Sequence, residues 1–172
     1  MCIIKYASFL FIIILYMKIN YKHQIIMFIV MVVVGMLFNP MSMLAYDINH
    51  LYNSKTLFYG GLLMASNMIW AHEIVHNLSM GHFNRNLFLF GISLSIILVF
   101  FVLREQLFIT EKDWLKRMIP HHSTALTTTN KLLKNRELDL KSNPQLFRLA
   151  RDIIYNQERE IVQMKLMLDK YN

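Results

Sequence analysis

Residues 87–108 read LFLFGISLSIILVFFVLREQLF, and they divide the chain in two. Before Arg104 there are seven charged side chains: Lys5, Lys18, Lys22, Asp47, Lys55, Glu73 and Arg85. From Arg104 to the end there are 22. A water-soluble domain must charge its surface, so 103 nearly uncharged residues do not suit one. A bilayer accepts them. The net charge of +7 says less, because 13 of the 18 Lys and Arg lie in the tail, mixed with nine acids. That is a solvated surface rather than a dense nucleic-acid patch, and no nucleic-acid motif is present. Cys2 is the sole cysteine, which excludes an intrachain disulfide. There is no Gly-rich phosphate loop.

A span needs about 20 mostly apolar residues. Working back from 87–108, the stretch 57–79 is a second candidate, although it contains His72, Glu73 and His76. Residues 25–46, IIMFIVMVVVGMLFNPMSMLAY, form a third, with Pro40 expected to kink or fray its last turn. Residues 2–17 are short and broken by Lys5. No small-residue cleavage site follows them, so they read as a further span or an uncleaved anchor. The expectation is an all-α protein with three or four transmembrane helices in residues 1–108, multi-pass in the lipid bilayer. Basic residues of the short loops divide three against three, so charge leaves the orientation open.

Residues 109–172 read as a helical hairpin over about 111–135 and 144–171. Thr110 with Asp113 three residues on is a helix start, and Asn143-Pro144 is a cap followed by proline at the first helical position. The first helix carries a stripe through Trp114, Leu115, Met118, Ala125, Leu126, Leu132 and Leu133, with His121 and His122 inside it and Pro120 in its middle. The second carries Leu146, Phe147, Ala150, Ile153, Ile154, Gln157, Glu160, Ile161, Met164, Met167 and Leu168. Folding the two antiparallel about residue 139 or 140 sets His122 level with Gln157 and Met118 level with Ile161. Imidazoles, an acid, an amide and thioethers then meet on a seam that ought to be apolar. Such groups need partners. They could bond one another as a buried polar network, or hold a metal.

The run Met118-Ile119-Pro120-His121-His122, with Ala125 and then Ile153-Ile154, Gln157, Glu160-Ile161 and Met164, resembles the family of domain of unknown function 305 (DUF305) over residues 111–170. Tyr59-Gly60-Gly61-Leu62-Leu63-Met64 is similar to a stretch of its membrane-anchored members. The resemblance implies a ferritin-like bundle, an extracytoplasmic compartment and, from some members, copper held by Met and His. It implies Met118, His121, His122, Glu160 and Met164 as ligands with Gln157 supporting them. Thr127-Thr128-Thr129 stands where members often have a further Met. Copper(I) favours thioether and imidazole, so copper is expected ahead of zinc.

Two further patterns lie in the stretch 57–79. His72-Glu73-Ile74-Val75-His76 fits the zinc-hydrolase pattern H-E-x-x-H, which would make Glu73 the base. His82 follows, but Ser79 stands where the three-histidine version needs glycine. Met64, Met68, His72 and His76 recur every four residues and so form one slanting row. Met-x-x-x-Met resembles the selectivity motif of copper-uptake transporters, while simple apolar packing explains the two methionines equally well. The leading expectation is a non-catalytic membrane protein that binds copper for sequestration or handling. Two hairpin helices alone bury little, so the hairpin should pair with a second copy in a homodimeric four-helix bundle or dock on the spans. A membrane scaffold with a buried polar network, and an intramembrane zinc hydrolase, stand as alternatives.

Overall fold

The structure, a computed structural model, describes residues 21–135 and 143–171, and every regular element among them is helical. Helix α1 covers 21–37 and α2 is Pro40–Met43. Asn39 separates them: its Nδ2 donates to the Met36 carbonyl at 2.8 Å and its Oδ1 accepts from the Ser42 N–H at 3.0 Å. Pro40 takes the first helical position, where a missing N–H costs nothing. A 3-10 turn at Ile48–His50, capped by Asp47, leads to α3, Lys55–Met80, capped by Ser54. Helix α3 stops at Gly81, whose φ of 67° is the left-handed conformation that glycine adopts freely. Asn84 caps α4, Arg85–Ile97, which widens into a π-helix over Leu98–Leu103. There the amides of Arg104 and Leu107 reach back five residues to Val99 and Val102.

Helices α1, α3 and α4 meet through small residues. A Cβ placed on Gly61 would lie 2.7 Å from the Val32 carbonyl oxygen of α1, and one on Gly91 would lie 2.9 Å from the Trp70 nitrogen of α3. Between the glycine contacts, Ala65 and Ser66 are fully buried, and Ser66 Oγ meets Ser95 Oγ at 2.9 Å. Outward, Ile25, Ile29 and Val33 of α1 and Phe90, Ile97 and Phe101 of α4 are exposed.

Two helices among the described residues are long and apolar enough to cross a membrane: Tyr21–Met43 and Arg85–Leu103. This corrects the expectation of three or four. The stretch 57–79 is helical, but Asn67, His72, Glu73, His76 and Asn77 make it too polar to qualify. Residues 2–17 lie outside the described residues.

The hairpin consists of α5, Glu111–Asn135, and α6, Pro144–Leu168, with a 3-10 turn at Asp169–Tyr171. Thr110 and Asp113 cap α5 reciprocally, Oγ1 accepting from the Asp113 amide at 3.2 Å and Oδ2 from the Thr110 amide at 3.3 Å. The Asn143 side chain accepts from the Leu146 amide at 3.1 Å at the start of α6. Leu115, Ile119, Leu126, Ile161, Met164 and Leu168 form the core, and Tyr52 from the α2–α3 connection packs on it. The hairpin thus docks on its own chain. Ser123, fully buried, accepts from the Tyr46 amide at 2.7 Å and meets His50 Nδ1 at 2.8 Å. Thr124 Oγ1 donates to the Met41 carbonyl at 3.2 Å. Lys55 at the head of α3 pairs with Asp113 at 3.2 Å.

Candidate functional site

The seam of the hairpin closes in a register three residues from the expected one. His122 Nδ1 lies 3.0 Å from Glu160 Oε2, not level with Gln157. The far end agrees: Tyr171 hydroxyl donates to Glu111, and Lys112 Nζ donates to the Tyr171 carbonyl at 3.0 Å. The shift has a chemical consequence. Met118 and His122 are one turn apart on α5, and Glu160 and Met164 are one turn apart on α6, so each pair shares a face. With His122 opposite Glu160, Met118 comes level with Met164. Met164 is buried in the hairpin core, and Met118 packs against that core from α5. Two thioethers, an imidazole and a carboxylate therefore occupy one turn on each side of the seam.

His121 does not share it. Adjacent helical residues point about 100° apart, and His121 is exposed with its ring 5.7 Å from that of His122. Gln157 is half-buried one turn along α6 from Glu160. His122 is the sensitive group. Burial pulls its pKa below the ordinary 6.5, the Glu160 charge opposes that, and His121 adds to it. Its Nδ1 lies close to Glu160, yet no partner is in line for a hydrogen bond. His50 was not singled out by the sequence. It sits against the neighbouring Ser123, and burial followed by the charge of Lys165 lowers its pKa, with Asp47 opposing. A long-range polar pair of this kind leaves no periodic trace.

The residues singled out on α3 separate into two groups. Met64 packs over Gly35 of α1, its sulfur 3.1 Å from where a Cβ would stand, and Met68 is half-buried. His72 and His76 stack at 5.8 Å between ring centroids. Glu73 is buried, and its carboxylate is committed: Oε2 accepts from the Asn84 amide at 2.9 Å, and Oε1 lies 3.7 Å from His72 Nδ1. It serves as a brace across the α3–α4 turn. Among the described residues, no three His, Cys, Asp or Glu side chains converge as they stand on a point that could hold a metal ion.

Residues 105–168 match the family model described as "Domain of unknown function (DUF305)". The chain also shares 39% identity over 113 residues with "Uncharacterized protein L153" of Acanthamoeba polyphaga mimivirus, an alignment covering 66% of this chain and 70% of that protein. The chain belongs to the DUF305 family. The matched segment contains both helices of the hairpin, so the family signature and the His122–Glu160 seam are the same piece of chain. No solved structure matches.

Proposed function

We propose that this DUF305 protein is a membrane-embedded metal-handling protein that takes copper at the hairpin seam. The observation that carries the reading is the register. It sets the imidazole of His122 opposite the carboxylate of Glu160 and, one turn away on the same seam, the thioether of Met118 level with that of Met164. That donor set suits copper, which accepts soft sulfur and imidazole together. His121 stands beside it at the surface, placed to receive an ion from solvent. Gln157 is close enough along α6 to orient Glu160. When bound, copper would supply redox-active, soft-acid chemistry. The residues of the chain bind the ion and screen it from water.

Helices α1 and α4 put their exposed isoleucines, valines and phenylalanines into the bilayer, with α3 held between them. Small-residue contacts at Gly35, Gly61, Gly91, Ser66 and Ser95 are how helices associate where lipid is as apolar as leucine. The exposed stripe Tyr155, Val162 and Leu166 on α6 would pair two hairpins in a homodimer. A scaffold reading retains one specific observation in its favour, since His122 Nδ1 and Glu160 Oε2 already lie 3.0 Å apart across the two helices.

Detergent-purified full-length protein loaded with copper(I) separates the two readings. Copper near one equivalent per chain or per dimer, lost in His122→Ala and in Met118→Leu with Met164→Leu, supports the proposal. Retention in both variants, or no uptake by the wild type, overturns it and leaves the scaffold.

A further inference from the structure

The geometry points to a second cation site, for a zinc-class divalent ion, at the end of the α1–α3–α4 bundle remote from the hairpin, formed by His72, His76 and His82. Helix α3 enters beside Asp113 of the hairpin at Lys55 and reaches His72 17 residues later, which is about 25 Å along the axis. There it meets the start of α1 and the turn into α4. His76 lies between its neighbours, its ring 5.8 Å from that of His72 and 5.5 Å from that of His82. Two imidazoles on one tetrahedral zinc, each with Zn–N near 2 Å, have centroids about 5 Å apart. The ring separations are close to that spacing, although the nitrogens do not converge as they stand, so the rings must turn to share an ion.

Two other features point the same way. His76 Nδ1 lies 3.0 Å from the His82 carbonyl oxygen, which fixes that ring and leaves Nε2 as the ligating atom. Gln24 of α1 is 5% exposed, and its Oε1 has no hydrogen-bond partner, while its Nε2 sits 3.4 Å from His72 Nδ1. A buried acceptor with nothing to accept is costly. It faces a cavity of about 10 Å³ that the three histidines and Glu73 also line. That volume suits one ion or one water. Three imidazole nitrogens with amide and carboxylate oxygen nearby form a harder set than the hairpin's thioethers, so zinc rather than copper(I) is the matching ion. Gly81 makes this possible, since its left-handed turn folds His82 back toward α3.

The test is zinc titration of the full chain in detergent, with bound zinc counted after desalting. The variants are His76→Ala, His82→Gln and the hairpin pair His121→Ala, His122→Ala. His82 lies in an exposed loop, so His82→Gln should keep the fold, checked by helical circular dichroism. We expect one zinc per chain, bound about tenfold or more weakly in His76→Ala and His82→Gln and unchanged in the hairpin variant. Cobalt(II) in its place should give intense visible bands of a nitrogen-rich tetrahedral site, absent in His82→Gln. Zinc bound equally by wild type and His82→Gln, zinc lost with the hairpin pair, or no zinc at all overturns the site. The last result would make the cavity a hydrated hydrogen-bond network. Because the hairpin reading is tested with copper and different residues, either can fail alone.

Discussion

The α1–α3–α4 bundle and the α5–α6 hairpin are both helical, yet they are held together by opposite means. The hairpin has a sharp division between a buried stripe and a solvated face, and large side chains such as Ile119 and Leu126 fill its centre. The bundle has apolar residues on all sides, and its centre is made of Gly61, Ala65, Ser66, Gly91 and Ser95. Where water is the solvent, burying bulk drives association. Where the surroundings are as apolar as the interior, bulk gains nothing, and close backbone approach with a few hydroxyl contacts takes over. With the bundle in a bilayer, as proposed, one chain follows both rules.

That contrast is open to attack, and the strongest blow falls on the hairpin core. Ile119→Ala should cost about 2–5 kcal/mol, the range for a buried aliphatic truncation. Hydrogen exchange should show the loss over α5 and α6 while α3 and α4 keep their protection; equal loss in both would mean the regions fold as one unit. In the bundle, enlargement should do the damage instead. Gly61→Val drives a branched side chain at the Val32 carbonyl and should cost about 1–3 kcal/mol in thermal unfolding in detergent. Leu89→Ala, on the outer face of α4, should cost far less than Ile119→Ala if lipid or detergent lies against it.

Acid sharpens the division further. His50 and His122 both have folded-state pKa values below the ordinary 6.5, so the unfolded chain takes up protons more readily than the folded one. Their contribution is complete above about 6.5 and is lost as pH falls through the lower folded values. The hairpin should therefore loosen as pH falls below about 6.5, followed by tryptophan fluorescence of Trp114. His50→Asn with His122→Asn should flatten that slope, and an unchanged slope would assign it elsewhere. The smallest effect is expected at Lys55 and Asp113, a pair whose lysine is half in solvent and which is worth about 1 kcal/mol or less. Asp113 titrates below the ordinary carboxylate value despite burial, because Thr110 and Lys55 bond its charged form. Asp113→Asn should show its cost above about pH 4 and lose it as pH falls further.

The hairpin was legible because its signals are local. Thr110 with Asp113 and Asn143 with Pro144 announce helix starts within four residues, and the apolar stripes repeat at helical spacing. Register was not legible, because it depends on how the connection 136–142 closes, and guessing its centre misplaced His122 by three residues against α6. The separation of His121 from His122 could have been foreseen from the angle between adjacent helical residues. Composition overstated the membrane part: the stretch 57–79 looks like a span until its polar residues are weighed, and four of them, His72, Glu73, His76 and Asn77, lie in the last third of α3. The docking of Ser123 on Tyr46 and His50 joins residues more than 70 apart and leaves no mark on local pattern.

The π-helix at Leu98–Leu103 sets the direction in which the chain leaves α4 for the turn before the hairpin. An α-helix advances about 100° and 1.5 Å per residue, so the extra residue held in the wide turn resets the phase at which α4 hands over to the turn that follows. Remove one residue there and α4 would wind on as an ordinary helix. Its last residue would then face about a quarter-turn away, and the turn that leads on to α5 would leave in a different direction. The exit from α4 is thus tuned by one residue more or less in a segment of six.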